Sequence, residues 1–276
     1  MSKNNRCQKI GVFDSGFGGL NILRGIVKKL PEYDFLYLGD AARVPYGTRS
    51  PETVYGFTQQ AVDFLFKKNC ALIIFACNTA SSDALRRIQK EYLPQFYPGK
   101  KVLGVLVPAV ELAASKTKNG RVGVMATPGA VSSGAFEREL LKINSKIKLF
   151  QKACPMLVPL VEAGEQNSAA ADIFLKKYLA PLLNKKIDTL ILGCTHYGIL
   201  ERKIKKITGQ NIHIVSEAGV VAIKLKDYLR RHSEIEKKLA KNGRRTFYST
   251  DLTENFQKLG SQFFSQKIAV RKAELR

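Results

Sequence analysis

The amino-acid sequence predicts an α/β fold of two similar parallel-sheet domains, related by pseudo-symmetry, with a site in the cleft between them. Three observations carry that prediction. The chain has 276 residues, enough for one large or two medium domains. Apolar runs of strand length alternate with segments whose apolar residues recur at helical spacing. Strand-to-loop junctions also repeat at nearly one offset along the chain.

The elements run in order. Lys9 to Phe13 reads as a short strand, and Leu20, Leu23, Ile26, Val27 and Leu30 as a helix that Pro31 ends. Tyr33 to Leu38 is the second strand, and Ser50 to Lys68 a helix after an irregular loop. Cys70 to Phe75 is a nearly all-apolar strand, followed by helical Ala84, Leu85, Ile88 and Tyr92 and a break at Pro94 to Lys101. Further strands are expected at Val102 to Leu106, Arg121 to Met125, Lys186 to Leu192 and Asn211 to Val215. A long helix from Gly219 to Lys241, a strand at Arg244 to Ser249 and a helix at Leu252 to Phe264 complete the chain. Strands apolar on both faces and separated by helices imply right-handed βαβ units.

Composition excludes several classes. With 45% hydrophobic and 25% charged residues, 21 Gly and 10 Pro, the chain is neither disordered nor collagen-like. No apolar run approaches the ~20 residues of a membrane span. The longest candidate, Val102 to Ala114, contains Glu111. The polar start, Met1 to Lys9, has no apolar signal core, so a cytoplasmic protein is expected. Five cysteines without a C-x-x-C pair and only three histidines argue for free thiols rather than a disulfide framework or zinc site. The formal charge of +22 favours non-specific attraction to nucleic acid or acidic metabolites. The excess is spread along the chain, with no RNP-like strand, zinc-finger spacing or basic tail, so nucleic acid is not the expected primary partner.

The repeated junctions carry the chemistry. Ile10-Gly-Val-Phe-Asp-Ser-Gly16 matches Val122-Gly-Val-Met-Ala-Thr-Pro128, 112 positions later. Phe75-Ala-Cys-Asn-Thr79 matches Leu192-Gly-Cys-Thr-His196, with Cys77 and Cys194 at an offset of 117. Ligands of open α/β sheets bind beyond the carboxyl ends of the strands. Two such domains facing each other would bring Cys77 and Cys194 to one small molecule from opposite sides. The chain is expected to divide near Pro98 and to cross back near Gly209, giving domains 1–98 plus 209–276 and 99–208. Cys7, Cys70 and Cys154 are expected to be ordinary small packing residues.

A thiol at a helix N-terminus is expected to have its thiolate favoured by the dipole and free N–H groups. One thiolate could remove a proton from carbon while the opposing thiol delivers one to the other face, inverting the centre. Asp14 and His196 are candidate titratable partners, as is Glu162, for which the sequence sets no distance. Asn78, Thr79 and Thr195 could hold a carboxylate, and Ser15 with Gly16, Gly18 and Gly19 supplies similar donors with room for close approach, although capping alone selects the same Ser, Thr and Asn.

These segments resemble the cofactor-independent aspartate/glutamate racemase family. The matching stretches are Asp14-Ser-Gly-Phe-Gly-Gly-Leu20, Gly39-Asp-Ala-Ala-Arg-Val-Pro-Tyr-Gly47, Ala76-Cys-Asn-Thr-Ala-Ser81, Cys154-Pro-Met-Leu-Val-Pro-Leu-Val-Glu162 and Leu192-Gly-Cys-Thr-His-Tyr197, in family order. Phe247-Tyr-Ser-Thr-Asp251 resembles the family's last strand and turn, so the likeness covers nearly the whole chain. The resemblance implies interconversion of L- and D-glutamate for peptidoglycan, without pyridoxal phosphate or metal, by a homodimer. It implies that Cys77 faces the α-hydrogen of the D-enantiomer and Cys194 that of the L-enantiomer. Asp14 would assist Cys77, and His196 with Glu162 would assist Cys194. Substrate binding would fall to Asp14, Ser15, Tyr46, Gly47, Asn78, Thr79, Thr127, Thr195 and His196. Two stretches depart from the family pattern. Ala130 replaces a hydroxyl in Ala126-Thr-Pro-Gly-Ala-Val131, and the family's Asp-Ser-Gly/Ala is here Ser216-Glu-Ala218.

Other readings compete. An aspartate or broad-specificity racemase of the same family would share these residues. Gly16-Phe-Gly18-Gly19-Leu-Asn21 with Asp40 approaches a dinucleotide fingerprint, but Asn21 stands where the third glycine is needed. A hydrolase using Cys194 with His196 would leave Cys77 without a role. A basic nucleic-acid-binding protein would leave both cysteine junctions unexplained.

Overall fold

The computed structural model describes residues 7–275; the polar start at residues 1–6, from which an absent export signal is read, lies outside the described residues. In chain order the strands are β1 (Lys9–Asp14), β2 (Phe35–Gly39), β3 (Cys70–Phe75), β4 (Lys101–Gly104), β5 (Arg121–Ala126), β6 (Lys148–Ala153), β7 (Thr189–Gly193), β8 (His213–Val215), β9 (Arg245–Ser249) and β10 (Val270–Lys272). They form two parallel sheets, ordered β10-β9-β2-β1-β3-β4 and β6-β5-β7-β8. The run β2-β1-β3-β4 of the first sheet has the same order as β6-β5-β7-β8 of the second. The junction recurrence in the sequence is thus a recurrence of topology. The protein consists of two parallel-sheet α/β domains.

Central strands carry the most continuous apolar runs because helices cover both their faces. All six residues of β3, Cys-Ala-Leu-Ile-Ile-Phe, are buried. Each fully buried Leu, Ile or Phe contributes about 1.5–3 kcal/mol, so β1, β3 and β7 anchor their sheets. Helix starts are set locally. Ser50 accepts a hydrogen bond from Thr53 N ahead of the Pro51–Lys67 helix, and Ser168 accepts one from Ala171 N ahead of Ala169–Leu183. The Gly19–Lys29 helix lies against the Glu217–Arg231 helix, where a Cβ on Gly25 would stand 2.2 Å from the Ala218 carbonyl oxygen. Only glycine permits that approach, which ties the chain's return crossing to the first domain.

Several expectations need correction. The strand expected at Val102–Leu106 is β4, which ends at Gly104, and Leu106 already opens the Leu106–Lys116 helix. β4 pairs with β3 and β8 pairs with β7. The sheets therefore part after Gly104 and after Val215 rather than at 98 and 209. The long helix expected over Gly219–Lys241 is two, Glu217–Arg231 and Ser233–Glu236, because the backbone leaves helical geometry at His232. Sequence reading missed β6 and β10. Both are half-exposed or exposed edge strands, so neither shows a buried apolar run. Among the described residues no helix is long and apolar enough to cross a membrane.

Candidate active site

The carboxyl ends of β1, β3, β5 and β7 converge on one cavity of about 100 Å³. Cys77, Asn78 and Thr79 reach it from the end of β3, and Cys194, Thr195 and His196 from the end of β7. Ser15 follows β1, Thr127 follows β5, and the segment after β2 supplies Tyr46 and Gly47. Glu162, at the end of the Leu157–Glu162 helix, closes another side with Val158 and Pro159. The two cysteines thus face one space from different sheets.

The two thiols are embedded differently. Cys77 is the N-cap of the Asn78–Asp83 helix; its Sγ accepts from Ala80 N–H at 3.5 Å and donates to Ser15 Oγ at 3.5 Å. Cys194 precedes a 3-10 turn, Thr195–Leu200, and its Sγ lies 3.8 Å from His196 Nδ1. His196 Nε2 lies 3.2 Å from Glu162 Oε1, giving a relay from thiol to imidazole to carboxylate. The expected thiolate stabilisation by helix N-termini is outweighed. Burial pushes the Cys77 thiol up to about 12, and the Asp14 charge adds to that against the Ala80 and Ser15 hydrogen bonds. Burial likewise drives Cys194 well above its ordinary value, with Cys77, Asp14 and Glu217 pushing the same way. Low dielectric opposes a lone thiolate more than one helical turn favours it.

Asp14 is the exception among the expected contacts. It is fully buried behind the cavity wall, where Oδ2 accepts from the Gly16 and Gly19 amides at 3.1 Å and Oδ1 accepts from Thr195 Oγ1 at 3.4 Å. Burial raises its carboxyl above the ordinary value. Those amide contacts also answer the dinucleotide reading, since the N–H groups that would cradle a phosphate are occupied by Asp14. Tyr46 turns its hydroxyl away to donate to Asp40 Oδ2 at 2.5 Å, and Asp40 is also held by Arg43 and Thr250. Thr127 caps the Pro128–Ser132 helix, and its Oγ1 sits 3.0 Å from Thr79 Oγ1, joining the two domains across the cavity.

Comparison with known proteins gives the family. The sequence profile described as Asp/Glu/Hydantoin racemase matches residues 10–223. The chain belongs to the Asp/Glu/hydantoin racemase family. A glutamate racemase of Geobacter metallireducens is 38% identical over 260 residues, 94% of this chain and 93% of that one. The crystal structure of a glutamate racemase isoform from Bacillus anthracis superposes with TM-score 0.90 at 35% identity, covering 98% of each chain. That of the Francisella tularensis glutamate racemase in complex with D-glutamate gives 0.86 at 32% identity over 97% of each.

For this racemase-family chain, sequence reasoning anticipated close approach at Gly18 and missed two structural contributors, Cys154 and Glu217. Cys154 lines the cavity as well as packing, with Sγ donating to Lys152 O at 3.3 Å. Gly18 allows Thr195 and His196 to sit against the β1 loop, because a Cβ there would be 2.4 Å from Thr195 Oγ1. Glu217 is buried behind the cavity and accepts from Asn78 Nδ2 at 2.9 Å. The glycine-rich run held a signal for Gly18. Glu217 had none beyond its departure from the family pattern.

Proposed function

We propose that this chain is a glutamate racemase working by two opposed thiols. One observation carries the reading: Cys77 and Cys194 line a single small cavity from different sheets, each with its own polar partner. The solved relative from Francisella tularensis in complex with D-glutamate supports the substrate. One thiol, ionised, takes the α-proton from one face while the neutral thiol opposite delivers a proton to the other; the roles exchange in reverse. Since burial keeps both thiols protonated at neutral pH, the base must be generated within the complex. For Cys194 the route runs through His196 and Glu162. On the other side, the substrate ammonium offsets the Asp14 charge that opposes the Cys77 thiolate.

The α-carbon is a very weak acid, so the carbanion-like transition state also needs oriented donors around the substrate carboxylates. Ser15, Asn78, Thr79 and Thr195 are the groups we assign to that task. The reading includes a cytoplasmic homodimer whose product supplies peptidoglycan.

Chiral chromatography on L-glutamate and, beside it, L-aspartate tests the activity. In deuterated water, label should enter the α-carbon of glutamate without hydrolysis. Cys77→Ser and Cys194→Ser are each expected to lower steady-state racemisation by about 10³-fold or more, the scale on which a positioned base acts. Near-native turnover of either variant in both directions would overturn the assignment.

A further inference from the structure

Glu217 opens the Glu217–Arg231 helix and is 3% exposed. Its Oε2 accepts from Asn78 Nδ2, while its Oε1 and the Asn78 Oδ1 are both buried without a hydrogen-bond partner. Its ionisable neighbours are acidic: Asp14 at the end of β1 and Cys194 at the end of β7. Among the described residues that act on its carboxyl there is no cation. Lys224 pairs with Glu111, Arg230 and Arg231 pair with Asp227, and Arg24 of the Gly19–Lys29 helix bonds Asn21 and Ser265.

A buried carboxylate with one hydrogen bond and negative neighbours is costly, and the neutral acid is the cheaper state. Burial indeed pushes this carboxyl up to about 8. A neutral acid has an O–H to donate. Turning the Asn78 amide by half a turn exchanges Nδ2 and Oδ1 at nearly constant shape. Oδ1 then accepts from the Glu217 O–H, and the two N–H donors of Nδ2 take the place now held by the partnerless Oδ1, on a residue that lines the cavity.

We propose that Glu217 is a positioning residue that acts as a neutral acid, locking the Asn78 amide with its donors presented to a carboxylate of the bound amino acid. The proposal rests on the racemase reading for the identity of that anion. It differs from that reading in assigning a role to a side chain outside the cavity.

Two measurements test it. Infrared titration of the wild-type protein should show the C=O stretch of a protonated carboxyl at neutral pH, absent in Glu217→Gln, that fades with a midpoint at about 8. The neutral fraction falls about tenfold between about pH 7 and pH 9, so the KM for L-glutamate should rise by about that factor. Substrate titration contributes equally in all variants. In Glu217→Gln, whose amide donates at any pH, the rise should shrink to about threefold or less, with kcat moving less than KM. Asn78→Ala removes the group that reads the proton and should flatten the rise from a higher KM. Superimposable KM profiles for wild type and Glu217→Gln would overturn the inference. So would an infrared band that is absent from wild type, or unchanged by the substitution, whatever the activity. If glutamate is not racemised at all, the functional reading fails, and a band lost in Glu217→Gln would still establish the neutral acid.

Discussion

At Gly18 one methyl group decides whether the two domains meet correctly at the site. Its backbone lies at φ −57° and ψ −36°, a conformation open to any L-residue. The obstacle is space: a Cβ would stand 2.4 Å from Thr195 Oγ1 and 2.8 Å from His196 Nδ1. Gly18→Ala must therefore push away the residue whose Nδ1 lies beside Cys194. Overpacking of this kind costs about 1–3 kcal/mol of stability, whereas a displacement of about 1 Å in a catalytic group lowers kcat/KM by about 10²-fold. Denaturant titration beside racemisation kinetics should show the activity falling much further than the fold. A variant with wild-type kinetics would mean that the contact has no bearing on the relay. At this scale the sequence was readable where chemistry repeats. Cys77 and Cys194 declare themselves because one junction occurs twice, and His196 because it comes just after one of them. Glu217 was not readable, since an acid in the first turn of a helix is ordinary capping chemistry. Only its burial beneath Asn78 makes it unusual.

Elements were legible in proportion to their burial. β3 and β7 lie inside their sheets and are buried throughout, so their runs of Leu, Ile and Phe stand out. β6 reads Lys-Leu-Phe-Gln-Lys-Ala at the sheet edge and is half-exposed, so polar residues on its open side erase the pattern. The shared junction motif also hid a difference between the helical turns that the two cysteines precede. Cys77 caps an α-helix with its sulfur on Ala80 N–H, whereas Cys194 precedes a 3-10 turn, where its Sγ meets the His196 backbone amide and lies 3.8 Å from His196 Nδ1. Within the Pro51–Lys67 helix one position is open to improvement. Gly56 has helical surroundings and nothing within 4 Å of where a Cβ would stand. Glycine in a helix interior is about 1 kcal/mol less favourable than alanine. Gly56→Ala should therefore raise unfolding stability by about that amount while leaving racemisation unchanged. A loss of stability in a urea titration would show that the open space is needed for packing.

The whole molecule carries its proton balance unevenly, and that sets how its stability depends on pH. Asp34, Asp188 and Glu139 are held below their ordinary carboxyl range; burial opposes this, but hydrogen bonds from backbone and side chains win. Their contribution is present above the unfolded values and lost as pH falls through the depressed ones. Burial raises three other carboxyls: Asp14, Asp83 to about 6 and Glu217 to about 8. For these the sign reverses. The fold binds their protons more tightly than the unfolded chain does, so the stability is full below about 4 and drains away as pH rises through the folded values. Opposing slopes place the maximum on the mildly acidic side, with a decline towards about pH 8 to which Glu217 contributes. From about pH 5.5 to pH 9 its share is on the order of 3 kcal/mol. Both cavity thiols ionise higher still and stay out of this window. Glu217→Gln replaces the titrating group with one that holds its hydrogens at every pH. Guanidinium titrations across this range should then show the variant gaining on the wild type by up to that amount as pH rises. Parallel stability curves would mean that the wild-type carboxylate finds water or a counter-charge when it ionises. The loss as pH rises would then belong to Asp83 and Asp14, whose carboxyls burial also raises.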